Sequence, residues 1–182
     1  MGLFDSIGQQ PAAPASGGNK SVDIVFPSLP DTFEQFAALP QAALSTPFET
    51  AAMTVLALCF YPQNAELSMR MYELISGPRT INPAEKQFIK DRFRDKDYVP
   101  RSYFKGAVPQ NDYKPSAPYT VTVNENPYSY QNEGYAKLYI PSGGSDNPRP
   151  VTLRKAKDGK WYLWEQFILV DVRPPESSNP WA

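Results

Sequence analysis

Residues 149–175 read RPVTLRKAKDGKWYLWEQFILVDVRPP, and this stretch decides the fold class. Asp158-Gly159 is a strong hairpin signal, because a type I′ turn needs positive φ at both central residues. Val151-Thr152-Leu153 opens a strand before the turn. After it, Trp161 to Val172 is dense in aromatic and branched side chains, which suit a pleated, half-buried surface. A two-residue turn sets Lys157 opposite Lys160, Ala156 opposite Trp161 and Leu153 opposite Trp164. Two opposed lysines repel, so a longer loop with a bulge-shifted register is the alternative. From Phe167 the run Phe-Ile-Leu-Val loses its alternation, as a strand buried on both faces would. Arg173-Pro174-Pro175 then stops it, since proline cannot donate to a ladder. A strand this apolar must bury itself, and the partner available is the helical half upstream.

That upstream half announces its helices through their N-termini. Asp31-Thr32-Phe33-Glu34, Thr46-Pro47-Phe48-Glu49 and Asn82-Pro83-Ala84-Glu85 each read as a cap followed by a carboxylate three residues on. The first predicts Asp31 as N-cap. The second and third place proline at N1, where its missing N–H costs nothing. Pro47–Tyr61 is apolar nearly all round, the mark of a buried central helix. Residues 63–76 carry Leu67, Met71, Leu74 and Ile75 as one stripe and stop at Gly77-Pro78. In the helix from Pro83 to about Asp95, Phe88, Ile89 and Phe93 are expected to face inward. Between these helices and the hairpin, residues 97–117 fit no period and read as a long loop anchored by Tyr98, Tyr103, Phe104 and Tyr113. Tyr119–Val123 and Tyr135–Ile140 alternate as strands, joined by a tyrosine-rich loop. Val22–Phe26 reads as a short extended segment. The expected architecture is α+β: three to four N-terminal helices packed on a C-terminal antiparallel sheet of about four strands. Residues 1–21 read as a disordered tail, 22–175 as one domain and 176–182 as a second tail.

The chain has 182 residues, 18 basic and 19 acidic, with a net charge of −1. That balance argues against duplex nucleic acid as a partner. The cations nevertheless gather on the hairpin, at Arg149, Arg154, Lys155, Lys157 and Lys160. Either they keep an edge strand solvated or they face an anionic partner. With no histidine in the chain, Ser-His and Cys-His nucleophilic chemistry and His-ligated zinc are excluded. The single cysteine, Cys59, sits among apolar helical residues and reads as core. No secretory signal and no apolar run of about 20 residues is present, so no membrane span is expected. The start Met-Gly-Leu-Phe-Asp-Ser matches the myristoylation pattern but lacks a polybasic second anchor. Leu3, Phe4 and Ile7 on their Gln/Pro/Ala/Ser/Gly tether form either a docking tip or a plain terminus. Gly143-Gly144-Ser145 lacks the GK[ST] ending of a phosphate loop. No pattern points to a cofactor or a metal.

What remains is aromatic surface. Nine of the eleven tyrosines lie between Tyr98 and Tyr162. Tyr135, Tyr139, Tyr162 and Trp164 form either one exposed aromatic face or the core between sheet and helices. Glu165 beside Trp164, and Asp171 nearer the strand end, are the acid–base candidates, should either point inward. Two functions follow. One is a non-enzymatic interaction or scaffold module with a protein partner. The other is a small-ligand-binding or isomerase-like domain with a pocket between helices and sheet. The residues favour the first.

The pattern G-K-W-Y-x-W-E-x-F-x-x-x-x-x-V-R-P-P resembles a bacterial family of soluble domains to which no activity is assigned. There a helical half precedes a short sheet closed by Arg-Pro-Pro. The resemblance covers residues 22–175 and, with the Met-Gly-Leu-Phe-Asp start, implies a cytoplasmic bacterial protein. Asp158-Gly159-Lys160-Trp161 is also similar to a late strand of the cone-shaped NTF2-like domains. The absence of histidine and of an assignable Asp/Tyr pair departs from that pattern, and fold analogy carries no activity.

Overall fold

A computed structural model of the chain describes residues 18–181. Its architecture is α+β, with four helices in the N-terminal half and an antiparallel sheet mostly in the C-terminal half. The helices are α1 (Phe33–Ala37), α2 (Pro47–Cys59), α3 (Ala65–Ser76) and α4 (Pro83–Arg92). The strands are β1 (Ser21–Phe26), β2 (Tyr119–Asn124), β3 (Tyr135–Ile140), β4 (Arg149–Lys155) and β5 (Trp161–Gln166), side by side in that order. The sheet thus has five strands rather than about four. The extended segment near residue 22 pairs with β2 over six residues, from Ser21 opposite Asn124 to Phe26 opposite Tyr119.

The core lies between α2 and one face of the sheet. Pro47 to Leu58 of α2 is buried except at Glu49, and α2 touches every strand. Against it lie Val121, Val123, Ala136, Leu138, Ile140, Val151, Leu153 and Leu163. The capping box at its start is complete: Thr46 Oγ1 accepts from the Glu49 N–H, and Glu49 accepts from the Thr46 N–H. Asn82 caps α4 with half of such a box, accepting from the Glu85 N–H at 2.8 Å, while the Glu85 carboxylate turns to Arg79 and Tyr72. At α1 the cap is Thr32, not Asp31. Thr32 Oγ1 accepts from the Gln35 N–H, and the Gln35 side chain in turn accepts from the Asp31 N–H at 2.7 Å. The box is displaced by one residue because glutamine fills the return position as well as glutamate does.

The loop over residues 97–117 wraps the domain as expected. Tyr103, Phe104 and Tyr113 are buried, Tyr98 stacks on Tyr113, and Tyr103 Oη donates to the Ile168 carbonyl at 2.6 Å. It also enters the sheet. β2 meets β3 only at Asn124 opposite Tyr139, and Phe104 bridges to Val121 in the gap. Gly143-Gly144 is therefore a packing device. A Cβ at Gly143 would lie 1.8 Å from the Ala107 carbonyl oxygen, and the Gly143 N–H donates to the Ser102 carbonyl.

The hairpin departs from the two-residue turn. Lys155 faces Trp161, the Gly159 N–H donates to the Ala156 carbonyl, and Gly159 has φ +85°. This is a three-residue loop closed by glycine in the left-handed region, which separates Lys157 from Lys160. β5 also ends at Gln166. The Gln166 side chain accepts from the Ile168 N–H at 2.9 Å, and Pro150 offers β5 a carbonyl but no N–H. The ladder stops there, and Ile168, Leu169 and Val172 reach the core from an irregular segment instead of a strand.

Candidate functional site

The register between β4 and β5 slips by one residue after Leu153. Leu153 faces Leu163, yet Thr152 faces Glu165. Trp164 is the extra residue of a β-bulge, and such bulges re-aim side chains. Leu163 and Gln166 stay buried while Trp164 and Glu165, neighbours in sequence, are both exposed. Alternation from Leu163 already turns Trp164 outward; the bulge is why Glu165 joins it on the sheet face opposite the helices.

On that face Arg154 stands opposite Tyr135 of β3 and Tyr162 of β5. Its guanidinium carbon lies 4.7 Å from the Trp164 ring centroid and 5.3 Å from that of Tyr135. The two rings meet edge-on at 5.8 Å. This is a cation within reach of two aromatic rings that stand nearly perpendicular to each other.

Three concavities converge on Trp164. One of about 500 Å³ is lined by Tyr128, Tyr135, Lys137, Tyr139, Trp164 and Glu165, among others. A second, of about 440 Å³, includes Tyr72, Phe88, Trp164, Glu165 and Phe167. A third, of about 610 Å³, lies where the end of α3 meets the hairpin and includes Pro78, Arg154, Lys157, Tyr162 and Trp164. Tyr135, Tyr139, Trp164 and Glu165 thus share one hollow, and Tyr162 joins Trp164 in the next. Tyr162 also packs on the helical layer: a Cβ at Gly77 would lie 2.3 Å from its ring. Its hydroxyl donates to Asp158 Oδ2 at 2.7 Å. Burial, then the Asp158 carboxylate, push the Tyr162 phenol up to about 12. The same hydrogen bond holds Asp158 below its usual range.

The two acid–base candidates lie apart: Glu165 lines the hollow between α3, α4 and β5, and Asp171 does not. Glu165 is exposed on the outer face. Asp171 is exposed and pairs with Lys96 at 2.6 Å. Cys59 lies at the end of α2, where burial pushes its thiol up to about 12, far from thiolate reactivity.

A polar network ties the helices to the edge of β5. Arg79 reaches both Glu85 oxygens, at 2.6 and 3.1 Å, and its Nε donates to the Leu163 carbonyl at 3.2 Å. Tyr72 Oη donates to Glu85 at 2.9 Å, and burial and the Glu85 charge raise its pKa. The rest of this edge is covered too: the Trp161 N–H donates to the Leu44 carbonyl, and Thr50 Oγ1 donates to the Trp161 carbonyl.

Phe88 belongs to the site and was expected in the core. It is 43% exposed, beneath the Arg92 guanidinium at 4.9 Å, while its neighbour Ile89 is fully buried. Adjacent helical residues point about 100° apart, and in α4 it is Ile89 that turns to the core while Phe88 turns outward. Phe88 with Arg92 four residues on is the signal that could have found it. Leu74 likewise leaves its expected inward stripe and is exposed.

Among the described residues, no helix is long and apolar enough to cross a membrane. Residues 28–176 match a protein family described as a domain of unknown function (DUF6935). No curated protein and no solved structure matches the chain.

Proposed function

The chain belongs to this family of domains of unknown function, and on that premise we propose that it is a non-enzymatic protein-interaction module. Its partner docks on the outer face of the sheet. The observation that carries this reading is Trp164, 39% exposed at the junction of three hollows, with Arg154, Tyr135 and Tyr128 to one side and Phe88 and Phe167 to the other. Tryptophan, tyrosine and arginine dominate the energetics of protein interfaces, and exposed aromatics this close together mark contact surface rather than scattered exposure. Tyr135, Tyr139, Tyr162, Trp164 and Glu165 are its contact residues. A bacterial cytoplasmic setting is part of the same proposal, supported by a lone cysteine whose thiol is the least reactive kind.

Site-specific photo-crosslinking tests it. A benzophenone amino acid placed at Tyr128 or Phe88 in the intact chain gives a discrete adduct in cells, and the adduct is lost with Trp164→Ala. The same probe at Val25, which is 43% exposed on β1, gives none. Equal labelling from all three positions, or no adduct from the first two, overturns the proposal.

A further inference from the structure

We propose that the cavity between the end of α3 and the β4–β5 hairpin binds a small organic acid, a carboxylate carried on an aryl or medium-length alkyl body. Four of its ten lining residues are cationic, Arg79, Arg154, Lys155 and Lys157, and none is acidic. The Arg79 charge is already met by Glu85. Arg154 differs. Among the described residues its side chain has no hydrogen bond and no ion pair, and its guanidinium carbon lies 4.7 Å from the Trp164 ring centre and 5.3 Å from that of Tyr135. Lys155 and Lys157 also lack an ion pair among the described residues. The nearby carboxylate, Asp158, is turned back into the hairpin loop, accepting from the Tyr162 hydroxyl and the Lys160 N–H.

A guanidinium flanked by two rings, with its N–H fork unpaired, matches the two oxygens of a carboxylate. Ordering by the two rings lowers the rotamer entropy lost on binding. The rest of the lining is mostly apolar: Pro78, Ala156, Tyr162, Leu163 and Trp164. A volume of about 610 Å³ falls within the range of small-molecule sites, roughly 300–1,000 Å³. A bare inorganic anion satisfies the cations and leaves that apolar lining unused, so the structure assigns an acid with an apolar body. The site shares Arg154, Tyr162 and Trp164 with the partner surface, but the crosslinking and the titration read different events, so each assignment can fail without the other.

The test is titration of the isotopically labelled intact chain, followed by amide and indole NMR shifts. The probes are indole-3-acetate and octanoate, each against its neutral amide. Saturable shifts at the Trp164 indole N–H and the Lys157 amide are expected from the acids. The amides, and the acids on Arg154→Gln, bind about tenfold more weakly, the scale of a charge-assisted hydrogen bond. Ala156→Leu fills the cavity while keeping every charge and removes binding. Lys137→Gln, in the neighbouring hollow, leaves it unchanged. A tetrapeptide, acetyl-Ala-Ala-Gly-Phe with a free C-terminus, separates a peptide carboxylate from a free acid. Peptide binding without acid binding overturns the proposal, as do acid and amide responding alike, acid binding undiminished in Arg154→Gln, or no saturable shift.

Discussion

The Arg154 guanidinium lies 4.7 Å from the centre of the Trp164 ring, and Trp164 is the extra residue of the β5 bulge. In an unbroken register Glu165 would follow the alternation and return to the face of Leu163. The slip instead gives the outer face both a tryptophan and a carboxylate. The pair is a finding about positioning: the cation lies beside the ring and remains open to a partner.

That contact predicts a modest thermodynamic coupling. A double-mutant cycle of Arg154→Ala and Trp164→Ala, read by urea denaturation, is expected to give about 0.5–1 kcal/mol, the size of an exposed cation–π contact. A coupling near zero would mean that the rings do not hold the guanidinium in solution.

The Tyr72–Glu85–Arg79 network predicts a larger effect. Glu85→Ala leaves the Arg79 charge without its carboxylate and Tyr72 Oη without its acceptor. With both ion-pair side chains about four-fifths buried, the expected loss is about 2 kcal/mol. Lys86→Ala, whose pairing with Glu73 is half exposed, is expected to cost about 0.5 kcal/mol or less. Comparable losses in the two variants would contradict the geometry.

Two glycines separate close packing from backbone strain. Gly159→Ala meets open space and carries only the penalty of positive φ, about 1 kcal/mol. Gly143→Ala drives a methyl into the Ala107 carbonyl and is expected to cost about 3 kcal/mol or to prevent folding. Thermal midpoints of the two proteins rank them directly.

Alkaline stability follows from Tyr162. Its folded value is about 12, above the ordinary tyrosine value of 10.0, so the folded state holds a proton that the unfolded chain releases. The stabilisation is fully present below pH 10 and is lost as pH rises toward 12. Relative to Tyr162→Phe, the wild type is therefore expected to lose thermal stability across that window and to keep a constant offset below it. A constant offset throughout would show that the phenol is not held.

Thr46→Ala removes half of the capping box of α2. A loss of about 1 kcal/mol is expected in denaturant unfolding, because the N–H of Glu49 keeps no side-chain acceptor.

The legible parts of the chain were the local ones. Thr46-Pro47-Phe48-Glu49 and Asn82-Pro83-Ala84-Glu85 fix helix starts through bonds that span three residues, and composition alone marks α2 as buried. Val22, Ile24 and Phe26 alternate visibly, yet their partner strand lies about a hundred residues later, so the fifth strand was seen without its place. The bulge at Trp164 has no sequence signature of its own. Tyr135, Tyr139, Tyr162 and Trp164 were readable as one aromatic set, outer face or core, with Glu165 beside it, whereas Tyr72, Phe88 and Arg79 come to it from α3, α4 and the turn between them, whose docking angle the sequence does not specify.

The two edges of the sheet are treated unequally. Along β5, Leu44, Thr50 and Arg79 occupy outward backbone groups. Along β1, among the described residues, the helical half contributes one backbone contact, from Gln41 Nε2 to the Val25 carbonyl. Among the described residues, the helical half therefore guards the β5 edge against further strand pairing more than the β1 edge, and Trp164 stands beside the guarded one.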